Sequence, residues 1–205
     1  MNSKEVSKKV VELGKLVHLF GNTDRAIFYE DGVTPESDTD HTVMLGLIAC
    51  ALAHSYDRTL DIGKVAQFAL VHDLVEAYAG DTQTLNASQE TLRIKDKVEH
   101  AALQRIKSEF DHVFPWISET IEEYEGLRLP EATFIKTLDK CMPKITHILN
   151  KGVMLKPHFK DSLSAMEYFK KQNEKISNSY GAKHPIVTEL NAVLADEACE
   201  QTYSE

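Results

Sequence analysis

Apolar residues recur along this chain at steps of three and four, and no run alternates polar and apolar for long. That period fits helices and excludes an extended sheet. Val6, Val10, Leu13, Val17 and Phe20 draw a first stripe, stopped by Gly21 and Asn22. Met44, Leu45, Ile48 and Leu52 draw a second over residues 39–56. Asp61 stands where a third helix needs its N-cap, with Val65, Phe68, Ala69, His72 and Val75 on one face and an end near Gly80. A long helix is predicted over residues 88–110, with Ile94, Val98, Ala102, Ile106 and Phe110 along one side. Pro115 and Pro130 sit at the starts of two more. The second of these carries Phe134 through Leu149, with a kink expected at Pro143 because proline lacks an N–H for the Asp139 carbonyl. Two further helices are predicted over residues 161–176 and 186–202, and the turn-rich residues 22–38 read as a loop. The expectation is an all-α fold in a single domain over residues 1–205: a helical bundle with extra C-terminal helices.

Composition narrows the function. Lys and Arg number 23 against 32 Asp and Glu, for a net charge of −9, which argues against non-specific binding to nucleic acid or an anionic membrane. The longest uncharged apolar stretch, residues 42–53, falls short of the roughly 20 residues a membrane-spanning helix needs. The first residues mix charge with apolar side chains and hold no signal-peptide block. Cys50, Cys141 and Cys199 show neither metal-ligand spacing nor an even disulfide framework. Cys50 and Cys141 lie in apolar helical runs and are expected to be buried free thiols, in a reducing, cytoplasmic setting.

The third helix holds the most informative segment, Leu70-Val71-His72-Asp73-Leu74-Val75-Glu76-Ala77-Tyr78-Ala79-Gly80-Asp81. On a regular helix His72 and Asp73 lie about 100° apart, and Glu76 falls between them, about 40° from His72. These polar groups leave the helix in one arc that overlaps its apolar stripe, and unpaired buried charge is costly. His41, in the first turn of the second helix, shares a face with Met44, Leu45 and Ile48. Asp139 has Ile135 and Met142 as its one-turn neighbours. Each alone reads as a core histidine or a salt-bridge partner. Together, two imidazoles and two carboxylates on three helices have the composition of a mixed nitrogen and oxygen site for one divalent ion: Mn, Fe, Co, Mg or Zn.

His41, His72-Asp73 and Asp139 in a helical chain resemble the signature of the HD-domain metal-dependent phosphohydrolases. Arg25, residues 36–42, residues 72–82 and residues 136–140 resemble more narrowly the bacterial HD-domain 5′-deoxynucleotidases and their eukaryotic relatives. Tyr124-Glu125 and Pro130-Glu131-Ala132 fit the segment before the last motif. The likeness covers residues 15–150, the core of the expected domain; residues 155–205 add a helical extension. It implies that His41, His72, Asp73 and Asp139 hold one divalent metal, that Glu76 positions or deprotonates the attacking water, that Asp81 protonates the leaving oxygen, and that Arg25 grips phosphate. The implied reaction cleaves a nucleoside or deoxynucleoside 5′-monophosphate to nucleoside and inorganic phosphate. The alternatives are a nucleoside triphosphate hydrolase of the same fold and a non-catalytic nucleotide-binding module. A homodimer is implied as well. One position departs from the family: Ala26 stands where a Trp associated with rejecting the ribose 2′-hydroxyl follows the arginine.

The chemistry of these residues agrees. Metal-activated water and charge neutralisation are what phosphate-ester hydrolysis needs. Arg25 offers a planar fork for phosphate oxygens. His147 is placed to border the same pocket, Lys140 and Lys144 read as solvated lysines, and His184 as a surface or helix-end residue.

Overall fold

The computed structural model describes residues 2–85 and 87–204. Helix α1 (Ser3–Gly21) leads into a short antiparallel hairpin, β1 (Asp24–Phe28) and β2 (Pro35–Ser37). The helices α2 (Asp38–Tyr56), α3 (Ile62–Val71), α4 (Glu76–Ala79), α5 (Gln89–Phe110), α6 (Trp116–Glu125), α7 (Pro130–Asp139) and α8 (Met142–Leu149) follow. The chain closes with α9 (Ser162–Ser179), a 3₁₀ turn at Gly181–Lys183, and α10 (Pro185–Tyr203). No described helix is long and apolar enough to cross a membrane.

Helix starts follow the caps in the sequence. Asn2, Ser37, Asp61, Ser88 and Asp161 each accept a backbone N–H of the first turn. The all-α expectation holds apart from the hairpin, which falls in the stretch read as a loop. Its strands are too short and too irregular in register to leave a period of two. Asp31 forms the turn, its Oδ1 accepting the Val33 and Thr34 amides, and Gly32 takes a φ of +70°.

Two expected helices are each broken in two. The third stops at Val71, and residues 72–75 form tight turns with i to i+3 bonds such as Glu76 N to Asp73 O (2.8 Å). The helix expected through Pro143 stops at Asp139, and α8 starts afresh with Pro143 in its first turn, so the kink is a break. Two stripes also turn out differently. On α1 the buried residues are Leu16 and Phe20, with Val10 and Val17 exposed; on α5 Ile94 and Val98 are exposed and burial begins at Ala102.

One core cluster joins α2, α3 and α7 around Leu45, Phe68, Phe134 and Leu138. A second joins α1, the 72–77 segment, α5 and α6 around Phe20, Val75, Ile106 and Phe110. Leu155, Phe159, Phe169 and Ala198 make a third, under the C-terminal helices. His72 belongs at the seam of the first two, edge-on to the Tyr124 ring at 6.3 Å.

Candidate metal centre and active-site cavity

His41, His72, Asp73 and Asp139 come together. One ligand atom from each lies within 4.8 Å of the others. His41 Nε2 is 3.1 Å from Asp139 Oδ1 and 3.9 Å from Asp73 Oδ2; His72 Nε2 is 3.0 Å from Asp73 Oδ2 and 4.0 Å from Asp139 Oδ1. The regular-helix arc expected for His72, Asp73 and Glu76 is replaced by the 72–75 turns, which bring the same side chains to one cavity.

The outer groups orient these rings. His72 Nδ1 lies 2.8 Å from the Ala69 carbonyl, which can only accept, so Nδ1 carries the proton and Nε2 presents its lone pair. That Nε2 is buried and, although 3.0 Å from Asp73 Oδ2, makes no hydrogen bond of acceptable geometry. A buried acceptor left open among two carboxylates and a second imidazole fits a cation better than a packed core. Behind His41, Glu36 Oε1 lies 3.5 Å from Nδ1, and Glu36 is itself held by Thr146 Oγ1 at 2.8 Å. Burial depresses the His41 pKa, but hydrogen bonds to Asp139 and Glu36 outweigh it and lift it to about 9.

Arg25 is largely withdrawn from solvent, its side chain 13 % exposed. It sits on β1 with Nε 3.3 Å from Glu36, Nη1 3.2 Å from Asp38, and Nη1 3.3 Å from Asp73. The hairpin explains this: pairing Asp24 with Ser37 brings Arg25 beside Glu36 and Asp38. Burial pushes Asp38 up to about 7, with Arg25 opposing. Glu76 is buried; Lys95 Nζ on α5 binds its Oε1 at 2.6 Å, while Oε2 is buried without a partner. Burial, then Asp73, push Glu76 up to about 9 against the pull of Lys95. Asp81 accepts the Ala26 amide at Oδ2, 3.2 Å away.

Arg25, His72, Asp73, Glu76, Asp81 and Asp139 line one cavity of about 240 Å³. His147 borders it too, as expected. Two expectations fail here. Lys144 is only 2 % exposed, and His184 is buried against Thr133, 2.8 Å from its hydroxyl. Glu36, Asp38, Lys95 and Lys144 escaped the sequence reading as site residues. For Glu36 and Asp38 a signal existed: both flank the Ser37 cap immediately before His41.

The profile of the HD-domain family matches residues 21–182. The 5′-deoxynucleotidase HDDC2 of Xenopus laevis is 26 % identical over 199 residues, 93 % of this chain and 88 % of that protein. The 5′-deoxynucleotidase hdd1 of Schizosaccharomyces pombe is 31 % identical over 112 residues, and that match spans 52 % of this chain and 54 % of that protein. The crystal structure of a predicted metal-dependent phosphohydrolase from Magnetospirillum magnetotacticum superposes with a TM-score of 0.74 at 25 % identity, covering 96 % of this chain and 92 % of that one.

Proposed function

This chain belongs to the HD-domain family and is a metal-dependent phosphohydrolase, and on that premise we propose that it cleaves nucleoside 5′-monophosphates to nucleoside and inorganic phosphate. The observation that carries the reading is the open Nε2 of His72, set by the Ala69 carbonyl to face His41, Asp73 and Asp139. These four residues would hold one divalent ion, of a kind drawn from Mn, Fe, Co, Mg or Zn. When bound, such an ion supplies positive charge that acidifies water and polarises a phosphoryl oxygen.

The remaining roles fall to the chain's own groups. Arg25 spends Nη1 on Asp38 and Asp73 and keeps Nε 3.3 Å from Glu36 without a hydrogen bond, and its Nη2 is the donor proposed to bond a phosphoryl oxygen. Glu76 has Oε1 taken by Lys95, so Oε2 is the atom that would accept the proton of the attacking water, once the charge of a bound ion counters the burial and the Asp73 charge that hold this carboxyl protonated. The water oxygen forms the new bond to phosphorus as the bond to the 5′-oxygen breaks. Asp81, anchored at Oδ2 by the Ala26 amide, hands a proton from Oδ1 to that leaving oxygen.

The test is a panel of divalent metals against nucleoside mono- and triphosphates, scored by the phosphorus species released. Inorganic phosphate from monophosphates supports the proposal. Release of triphosphate points to the triphosphate hydrolase instead, and nucleotide binding with no release points to a non-catalytic module. A homodimer, implied by the family resemblance, accompanies the proposal. A monomer mass from solution scattering at micromolar protein would oppose that part.

A further inference from the structure

The cavity has two unlike walls. Near α5 and α7 it is charged, with Lys95, Glu99 and Lys136. Near α8 and α9 it carries Lys144, His147, Tyr168, Phe169 and Gln172. The second wall is not needed to bind metal or phosphate, and none of the roles given above uses it.

Lys144 is its unusual member. Its ammonium has three donors. One reaches the Lys140 carbonyl at 2.7 Å, and the nitrogen stands 5.0 Å from the centre of the Phe169 ring. No described carboxylate lies within ion-pair distance of it, unlike Lys95 beside Glu76 and Lys140 beside Asp139. Burial, helped by Lys140, drags its pKa down to about 8, the mark of a cation with too few partners. One turn on, His147 is kept neutral by burial and by Lys144, and its Nδ1 is buried without a partner. Opposite them, Tyr168 is fixed between Phe159 (5.1 Å between ring centres) and Phe169 (5.6 Å).

Rigid aromatic surface beside neutral donors and acceptors suits a planar heterocycle. A second phosphate would instead meet one cation amid aromatic rings. Resting on the nucleotide reading of the site, we propose that the α8–α9 wall is a nucleobase subsite in which Lys144 donates to an exocyclic carbonyl of the base. Lysine offers donors only, so a base with an oxo group satisfies it. Adenine presents an amino group there, which gives the remaining donors of the buried ammonium no acceptor at that position.

The test is equilibrium binding to metal-free protein, where no turnover interferes, of deoxyinosine 5′-monophosphate, deoxyadenosine 5′-monophosphate and deoxyribose 5-phosphate. The two purines differ along one edge, with an oxo group and an N1–H in hypoxanthine against an amino group and a bare N1 in adenine. Expected is tighter binding of the inosine nucleotide by at least about fivefold over the adenosine one and about tenfold over the base-free ligand, the effect of one hydrogen bond to a charged group. Lys144→Met should bring the purine ratio below about twofold. Equal affinities for all three ligands in the wild type, which need no variant to measure, overturn the subsite. So does a uniform loss across all three in Lys144→Met. Phosphate release from deoxyinosine 5′-monophosphate by the metal-loaded protein is scored beside this. Release without base-dependent binding sinks the subsite and spares the hydrolase; base-dependent binding without release does the reverse.

Discussion

Lys95 Nζ reaches from α5 to Glu76 Oε1 at 2.6 Å and is bound from its other side by Glu99 Oε1, also at 2.6 Å. The contact fixes which oxygen of Glu76 is free, and so makes a base of one defined atom. Glu76→Ala should keep the metal and lose about 10²–10⁴-fold in turnover. Metal lost in parallel with rate would make Glu76 a ligand. Lys95→Met should lower kcat more than it changes KM, because it frees the Glu76 carboxylate to rotate, and Lys95→Arg should restore most of the loss. Steady-state kinetics decide this, and a change confined to KM would contradict the positioning role.

Ala26 adjoins Arg25 and lines the cavity, with a methyl group where the family carries an indole. An apolar wall discriminates against an added hydroxyl by only about 10²-fold at best. With the wall gone, kcat/KM for a deoxynucleotide should exceed that for its ribo counterpart by no more than about tenfold, or about 1.4 kcal/mol. Ala26→Trp should widen the ratio. A wild-type ratio in the thousands would show that another residue supplies the wall.

His147 gives a pH signature. Burial first, then Lys144 and His158, with Glu36 opposing, lower its pKa to about 4. Its unfolded value is about 6.5, so below that pH the unfolded chain binds the extra proton and the folded one does not. Stability assigned to His147 is therefore intact above about pH 6.5 and is lost as pH falls toward about 4, by about 2 kcal/mol between pH 7.5 and 5. Urea unfolding of wild type and His147→Gln across that window should show the variant losing this part of the acid slope. Parallel curves would contradict it.

Gly152 holds the C-terminal helices against the site. Its φ is +71°, and an added Cβ would stand 1.8 Å from Thr202 Oγ1 and 2.4 Å from Thr202 Cβ on α10. Backbone, not a flexible tip, would have to move. Gly152→Ala should cost at least about 2 kcal/mol, a fall in Tm of about 4–8 °C. A Tm within error of wild type would mean that α10 is free to shift.

The helices were legible because caps such as Asp61 and Ser88 and the three-to-four period are local properties of the chain. So was the set His41, His72, Asp73 and Asp139, since acids and imidazoles on apolar faces need a reason wherever they occur. The hairpin was not legible. Arg25 entered the site through the family resemblance alone, because its place beside Glu36 and Asp38 comes from β1 pairing with β2, a relation that periodicity does not register. The same holds for Lys95, 19 positions from Glu76, and for Lys144, whose burial comes from α9 and not from its own helix. The faces of α1 and α5 were misread for a related reason. An apolar stripe marks what a helix can bury, and neighbours decide how much of it is covered, as at exposed Val10 and Ile94.

The central claim is that His72 and Asp73, with His41 and Asp139, hold the metal on which phosphate release depends. The most direct measurement is metal content by elemental analysis together with phosphate release, made on the wild type, His72→Ala and Asp73→Ala. The account predicts a divalent ion near one per chain in the wild type, and loss of both metal and phosphate release in each variant. Full metal content with undiminished release in both variants would contradict it.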